Sequence, residues 1–212
     1  MNTTTSSPSA WAINAVLADG GSVHIRPIKP GDATAHRVFF ARQSKQSVYF
    51  RFFGPRSELT DLEVSHFTTV DYHGRMAFVA FLGDDMIAVG RYEQLACGDE
   101  AEVAFAVADA HQGRGLATLL LWHLARYAAA QGIRRFSADT LIDNRRMLKV
   151  FKAVAMGRES RSIDHGVVHL AFGIAPKGDV RADGERTQSQ YVRLGPASAS
   201  RLGEPKEPCK KG

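Results

Sequence analysis

Gln112-Gly113-Arg114-Gly115-Leu116-Ala117 is the stretch on which the fold turns. It follows an apolar strand-like run, Glu102 to Val107, and opens a segment, Leu116 to Ala130, with Leu116, Leu119, Leu120, Leu124 and Tyr127 at helical spacing and Gly132 as a stop. Two glycines let a backbone approach a ligand closely, and the free amides of a helix start point outward. A strand, a glycine loop and a helix start together make either an anion site suited to a pyrophosphate or a plain glycine turn before a helix. Two familiar phosphate loops do not fit. No Lys-Ser/Thr pair follows a second glycine, which excludes the P-loop pattern. Gly113 and Gly115 are followed by Thr118 where a dinucleotide fingerprint needs a third glycine.

Working outward, Ser22 to Arg26 alternates as a strand and is stopped by Pro27 and Pro30. Asp32 is placed to cap a helix to about Gln43, Ser44 or Ser47 to cap a second short one, and Thr60 with Glu63 to form a capping box for a third. Met76 to Leu82 and Met86 to Leu95 read as strands joined at Gly83-Asp84-Asp85. After the glycine loop and its helix come a strand at Phe136 to Ile142, a helix at Asn144 to Ala155 and a last strand at Val167 to Phe172. A meander of strands interrupted by helices predicts an α+β fold and not a doubly wound sheet. Residues 1–20 are expected to be a mobile lead-in, 21–173 the folded domain, and 174–212 a disordered tail with isolated apolar residues.

Composition narrows the function. The chain has 212 residues, 44% of them apolar, and a net charge of +5. The tail contributes +3 of that, from 8 Lys+Arg and 5 Asp+Glu, so the body is nearly neutral and no basic stripe interleaved with aromatics points to nucleic acid. The longest apolar run has seven residues, too short for a membrane span, and no secretory signal opens the chain. A cytoplasmic location is therefore expected. Cys97 and Cys209 are too few for a disulfide framework or a cysteine zinc site, and His165 and His169 lack a third ligand, so no metal is expected. The composition leaves the oligomeric state open.

The hexapeptide has the form Q-x-x-G-x-A, and with the strand before it, the helix after it and Asp143-Asn144-Arg145-Arg146-Met147-Leu148 it resembles the GNAT acetyltransferase superfamily across residues 21–173. Ile25-Arg26-Pro27-Ile28, Tyr49-Phe50-Arg51-Phe52-Phe53-Gly54 and Val70-Asp71-Tyr72 look like the bacterial Pat-type protein lysine acetyltransferases within it. The resemblance implies a GNAT fold, a central mostly antiparallel sheet whose splayed strands form an acyl-CoA cleft. It implies acetyl-CoA as acyl donor, bound by the backbone of Phe105, Ala106 and Val107, by the loop and helix start Gln112, Gly113, Arg114, Gly115, Leu116, Ala117 and Thr118, and by Asn144, which a plain helix cap would equally explain. The implied acceptor is a lysine ε-amino group of a protein, an AMP-forming acyl-CoA synthetase for instance.

That chemistry needs a base. A lysine amine of pKa about 10.4 costs about 4.6 kcal/mol to deprotonate at pH 7. Glu102 stands where such relatives carry a catalytic glutamate and is assigned as general base, with an apolar surround raising its pKa. Glu100 lies on the same face of the strand but less deep. Phe151 stands where many relatives have a tyrosine to protonate the leaving thiolate, so no general acid is assigned, and Ala155-Met156 replaces the usual Gly-Phe. Many close relatives carry a regulatory domain, and the residues before the domain are too few for one. A small-molecule amine as acceptor, or a non-catalytic acyl-CoA-binding module, are the competing readings.

Overall fold

The computed structural model describes residues 8–174. The expected tail from 175 on, and residues 1–7 of the expected lead-in, lie outside the described residues. Eight strands form one sheet, β1 (Ile13–Val16), β2 (Ser22–Pro27), β3 (Arg75–Leu82), β4 (Asp85–Gln94), β5 (Glu100–Val107), β6 (Arg135–Leu141), β7 (Met156–Asp164) and β8 (Val167–Gly173), in the order β1-β2-β3-β4-β5-β6-β8-β7. Every neighbouring pair is antiparallel except β5 with β6. Helices α1 (Ala33–Ala41), α2 (Lys45–Phe52) and α3 (Asp61–Thr68) follow β2, α4 (Leu116–Ala130) follows β5, and α5 (Arg145–Val154) follows β6.

Helices α4 and α5 cover one face. Phe78, Tyr92, Phe105, Leu120, Tyr127, Phe136, Phe151 and Phe172 pack there into a single apolar core. Helices α1 to α3 cover the other face over the first part of the sheet, where two smaller clusters form, Ile28, Phe39, Val79 and Val89 against the strands and Phe40, Val48, Val64 and Phe67 between the helices. Covered on both faces, β3 and β4 are apolar almost without interruption, as central strands must be. Strands β6 and β8 alternate strictly between buried and half-buried positions because only one of their faces is covered.

The local signals act largely as expected. Ser44 caps α2 by accepting from the Ser47 amide (3.2 Å), and Thr60 and Glu63 close a reciprocal capping box on α3. Asp32 does not cap α1. Its carboxylate instead accepts from Arg26 (2.7 and 2.8 Å) and from the Lys29 amide (2.9 Å), burying an ion pair at the helix entry.

The expected lead-in needs correction over its described part. A 3-10 turn at Pro8–Trp11 is followed by β1, which pairs with β2 through Ile13↔Ile25 to Val16↔Ser22. Trp11 packs edge-on to Tyr127 (5.0 Å) and His123 (5.8 Å), so the folded domain begins before residue 21. Strand β7 was not expected either. Among the described residues no helix is long and apolar enough to cross a membrane, and no group of three His, Cys, Asp or Glu side chains converges on a point.

Candidate active site

Strands β5 and β6 run parallel and are paired through only three positions, Glu100↔Arg135, Ala101↔Phe136 and Glu102↔Ser137. Beyond Glu102 they part. β5 stays with β4 as far as Val107↔Ala88, while β6 stays with β8 as far as Leu141↔Val167. The sheet therefore forks, with Glu102 at the last paired position and Val103 to Val107 forming one prong. Because both prongs run from the crotch outward, the helices that follow them begin at the open end. The positive N-terminal ends of α4 and α5 thus gather at one mouth.

At that mouth the glycine loop holds its shape by left-handed backbone. Gly113 has φ 86° and Gly115 φ 85°, values a side chain would strain. Gly115 is the N-cap of α4, and the first helical bond runs from the Leu119 amide to the Gly115 carbonyl (3.0 Å). The amides of Gly113 to Thr118 all precede it and stand at the mouth as donors, as an anion cradle requires. Leu116 and Ala117 are buried, their side chains anchoring the helix start in the core.

Side chains hold this loop against its neighbours. Gln112 Nε2 donates to Ser47 Oγ (3.0 Å) and to the Val107 carbonyl (3.3 Å), while its Oε1 accepts from Arg146 Nη1 (3.5 Å). Asp109 accepts from the Ser44 amide (2.9 Å), from Ser44 Oγ (2.7 Å) and from Ser47 Oγ (2.7 Å). Burial raises its pKa, but these hydrogen bonds outweigh that and hold the carboxyl below the usual range. One carboxylate thereby ties the loop to the start of α2. Sequence reading missed Asp109, since its partners lie 62 and 65 residues away and no local pattern announces them. Arg114 turns its side chain from the mouth to Asp19 (2.5 Å) and His111 (2.8 Å), leaving its backbone amide as its contribution there. Asn144 is buried and caps α5 by accepting from the Met147 amide (3.1 Å). A cavity of about 330 Å³ opens among Ser47, Phe50, Gln112, Asn144, Arg145 and Arg146.

Glu102 is half-buried on the face of the sheet opposite α4. Its register partners are Glu93 on β4 and Ser137 on β6. The surround on that face is polar, which corrects the apolar one expected. Glu93 accepts from Arg75 (3.3 Å) and His66 (3.1 Å), and Glu100 meets Arg135 at 3.6 Å. Farther along the same face Asp139 accepts from His169 Nδ1 (2.6 Å). Phe151 is buried against Phe105 (6.4 Å) and Phe172 (5.8 Å) and has no proton to give.

A sheet forked between parallel strands, with two helix N-termini at its mouth, is the frame the sequence resemblance implied. Residues 43–156 match the acetyltransferase (GNAT) family. The chain belongs to the GNAT acetyltransferase family. It is 33% identical over 135 residues to an acetyltransferase of Pseudomonas aeruginosa, covering 62% of this chain and 73% of that protein. It is 31% identical over 156 residues to acetyltransferase Pat of Mycolicibacterium smegmatis, covering 72% of this chain but only 46% of that longer protein. Among solved structures, the GNAT domain of S. lividans PAT superposes with a TM-score of 0.74 at 42% identity, over 79% of this chain and 99% of the other. As a GNAT acetyltransferase it takes acetyl-CoA as its acyl donor, and the open amides and forked strands fit that ligand.

Proposed function

We propose that this acetyltransferase acts on lysine ε-amino groups of cytoplasmic protein substrates, AMP-forming acyl-CoA synthetases being the expected class, by direct transfer in a ternary complex. The observation that carries the reading is the position of Glu102 at the crotch of the fork. There the acyl-CoA side, between the prongs, meets the sheet face left uncovered beside β6. The 42% identity to the GNAT domain of S. lividans PAT supports a protein acceptor.

In this mechanism Glu102 takes a proton from the lysine ammonium, directly or through a water, and frees the nitrogen to attack the thioester carbonyl. A backbone N–H of Phe105 to Val107 donates to the carbonyl oxygen as negative charge builds on it. The same prong aligns the pantetheine arm as an added strand. Gly113 to Thr118 hold the pyrophosphate with their amides, and Asn144 borders the arm. As the C–S bond breaks, the second proton on the attacking nitrogen passes to water and, with Phe151 inert, the thiolate leaves unprotonated, which a thiol pKa near 8.5 allows. Glu93 and Glu100 on this face are held by Arg75, His66 and Arg135, so Glu102 is the carboxylate assigned to meet a cationic acceptor of either kind, protein lysine or small polyamine.

Incubation with labelled acetyl-CoA and a panel of an acyl-CoA synthetase, free lysine and polyamines separates the two. Label located by mass spectrometry on a synthetase lysine, and lost with Glu102→Gln, is the expected result. Label on small amines alone would move the acceptor to that class. Gly113→Glu is expected to weaken CoA binding about tenfold or more, since it places a negative side chain on a left-handed backbone at the phosphate site.

A further inference from the structure

Between α1, α2 and β4, on the acceptor face, lies a second and smaller cavity of about 30 Å³, bordered by His36, Gln43, Ser47, Arg51, Phe67 and Arg91. Its walls combine apolar rings with cations. Arg91 is 3% exposed and Arg51 7% exposed. The Arg91 guanidinium donates to the Phe67 carbonyl (3.1 Å) and to His36 Nε2 (3.3 Å) and lies 4.5 Å from the Phe67 ring centre. All three partners are neutral. Among the described residues no carboxylate reaches salt-bridge distance of Arg91, and Glu93, two positions along the same strand, is already engaged by Arg75 and His66. A buried guanidinium without a counter-charge is costly, and burial pushes Arg91 down to about 9.

His36 presents a second donor. Arginine can only donate, so His36 Nε2 must accept, and the ring proton then sits on Nδ1. That nitrogen is buried and has no hydrogen-bond partner. The cavity thus holds a cation without its complement and an N–H without its acceptor. Water could satisfy a donor but would leave the charge uncompensated, whereas a small anion answers both. The space admits one, since about 10–15 Å³ already holds a water.

We propose that this cavity is a binding site for a single small monovalent anion of the carboxylate class, with Arg91 as its counter-charge and His36 Nδ1–H as a donor to it. The site has two sources of ligand. Arg91 faces Ala104 and Glu93 faces Glu102, which sets Arg91 diagonal to Glu102 at about 7–8 Å. A carboxylate carried by the acceptor molecule beside its amine is therefore one source, and a free anion is the other. The first source rests on the acetyl-transfer reading above; the site itself does not.

The test uses the full chain, labelled with ¹⁵N at histidine, and titrates sodium formate at constant ionic strength while following the imidazole signals by NMR. A saturable shift of the His36 signal, weakened at least tenfold in Arg91→Met and less in Arg91→Lys, is the expected result. A His36 signal that does not move, or that drifts linearly and equally with every salt, overturns the site and leaves Glu102 and its role untouched. The wild-type titration alone separates these outcomes, so misfolding of a variant does not blunt the test. Where binding is seen, competitive displacement of formate by carboxylate-bearing amines assigns the acceptor as source. Saturable binding that no such amine displaces assigns a free anion.

Discussion

The two halves of the sheet obey different rules. From β2 to β5 the strands lie between α1–α3 on one side and α4 on the other, and β3 and β4 are buried on both faces, with Arg91 the buried charge among their apolar residues. In β6 and β8 only the face under α5 is packed, and Ser137, Asp139, His169 and Ala171 look the other way, while residues 159–164 of the edge strand β7 are exposed throughout. The halves are joined along three residue pairs, and Glu102 closes that seam. A half anchored on both faces holds Glu102, the proposed base, steady, while the half beside it leaves an open face for the proposed acceptor. Coverage by helices, and not strand chemistry alone, thus decides where the site opens.

The contrast can be broken at its seam first. Glu102→Gln is expected to lower turnover by about 10² to 10⁴ with CoA affinity unchanged, while Glu100→Gln, on the same face but two residues before the fork, costs severalfold at most. Steady-state rates beside CoA titrations decide it, and equal losses in the two variants would remove Glu102 from its assigned role.

Next comes the difference in coverage. Val79, fully buried on the face under α1–α3, replaced by Ser should cost about 2 to 4 kcal/mol through lost packing and a stranded hydroxyl. Ala171→Ser on the open face should stay within about 0.5 kcal/mol. Chemical denaturation of the pair measures this, and similar losses would mean that the second half is covered after all.

Acid probes both faces of the first half at once. Burial pushes His36 down to about 3 and His123, which donates to the Trp11 carbonyl (2.7 Å), down to about 4. Both are neutral in the folded chain and protonate near pH 6.5 when it unfolds. Their stability contribution is therefore complete above pH 6.5 and is lost as pH falls toward 4 and 3, about 2 kcal/mol for each between pH 7 and 5. The carboxylates held low, Asp32, Glu63 and Asp109, lose theirs only below about pH 5, so the histidine window between pH 7 and 5 stands clear of them. Unfolding free energies at the two pH values, for wild type and His123→Gln, test it: the variant should lose about half as much.

The smallest expected effect is at Asp109. Asp109→Ala removes three hydrogen bonds to Ser44 and Ser47 and should cost about 1 kcal/mol, with a loss of CoA affinity as Gln112 and its loop come free of α2. A stability loss with affinity intact would separate the cap from the site.

Much of this was legible in the chain. Leu116–Ala130 coincides with the predicted helix because a long 3.6-residue period with a glycine at each end admits little else. The central strands were readable because strands buried on both faces are uninterrupted apolar runs. β1 and β7 were not. Ile13–Val16 is four residues long beyond a Ser/Thr-rich stretch, and Met156–Asp164 is an edge strand rich in charge, whose pairing with β8 supplies what its composition does not.

The glycine loop, the helix it opens and the kinship could be read from the chain alone, because backbone freedom and helical period are local properties written in neighbouring residues. Only the folded arrangement settled that β5 and β6 part just past Glu102, that Asp109 reaches back to α2, and that Arg91 and His36 share a cavity without a counter-charge. Those pairings join residues as far as 65 positions apart. Their partners are chosen by strand order and helix packing, which no local pattern in the chain records.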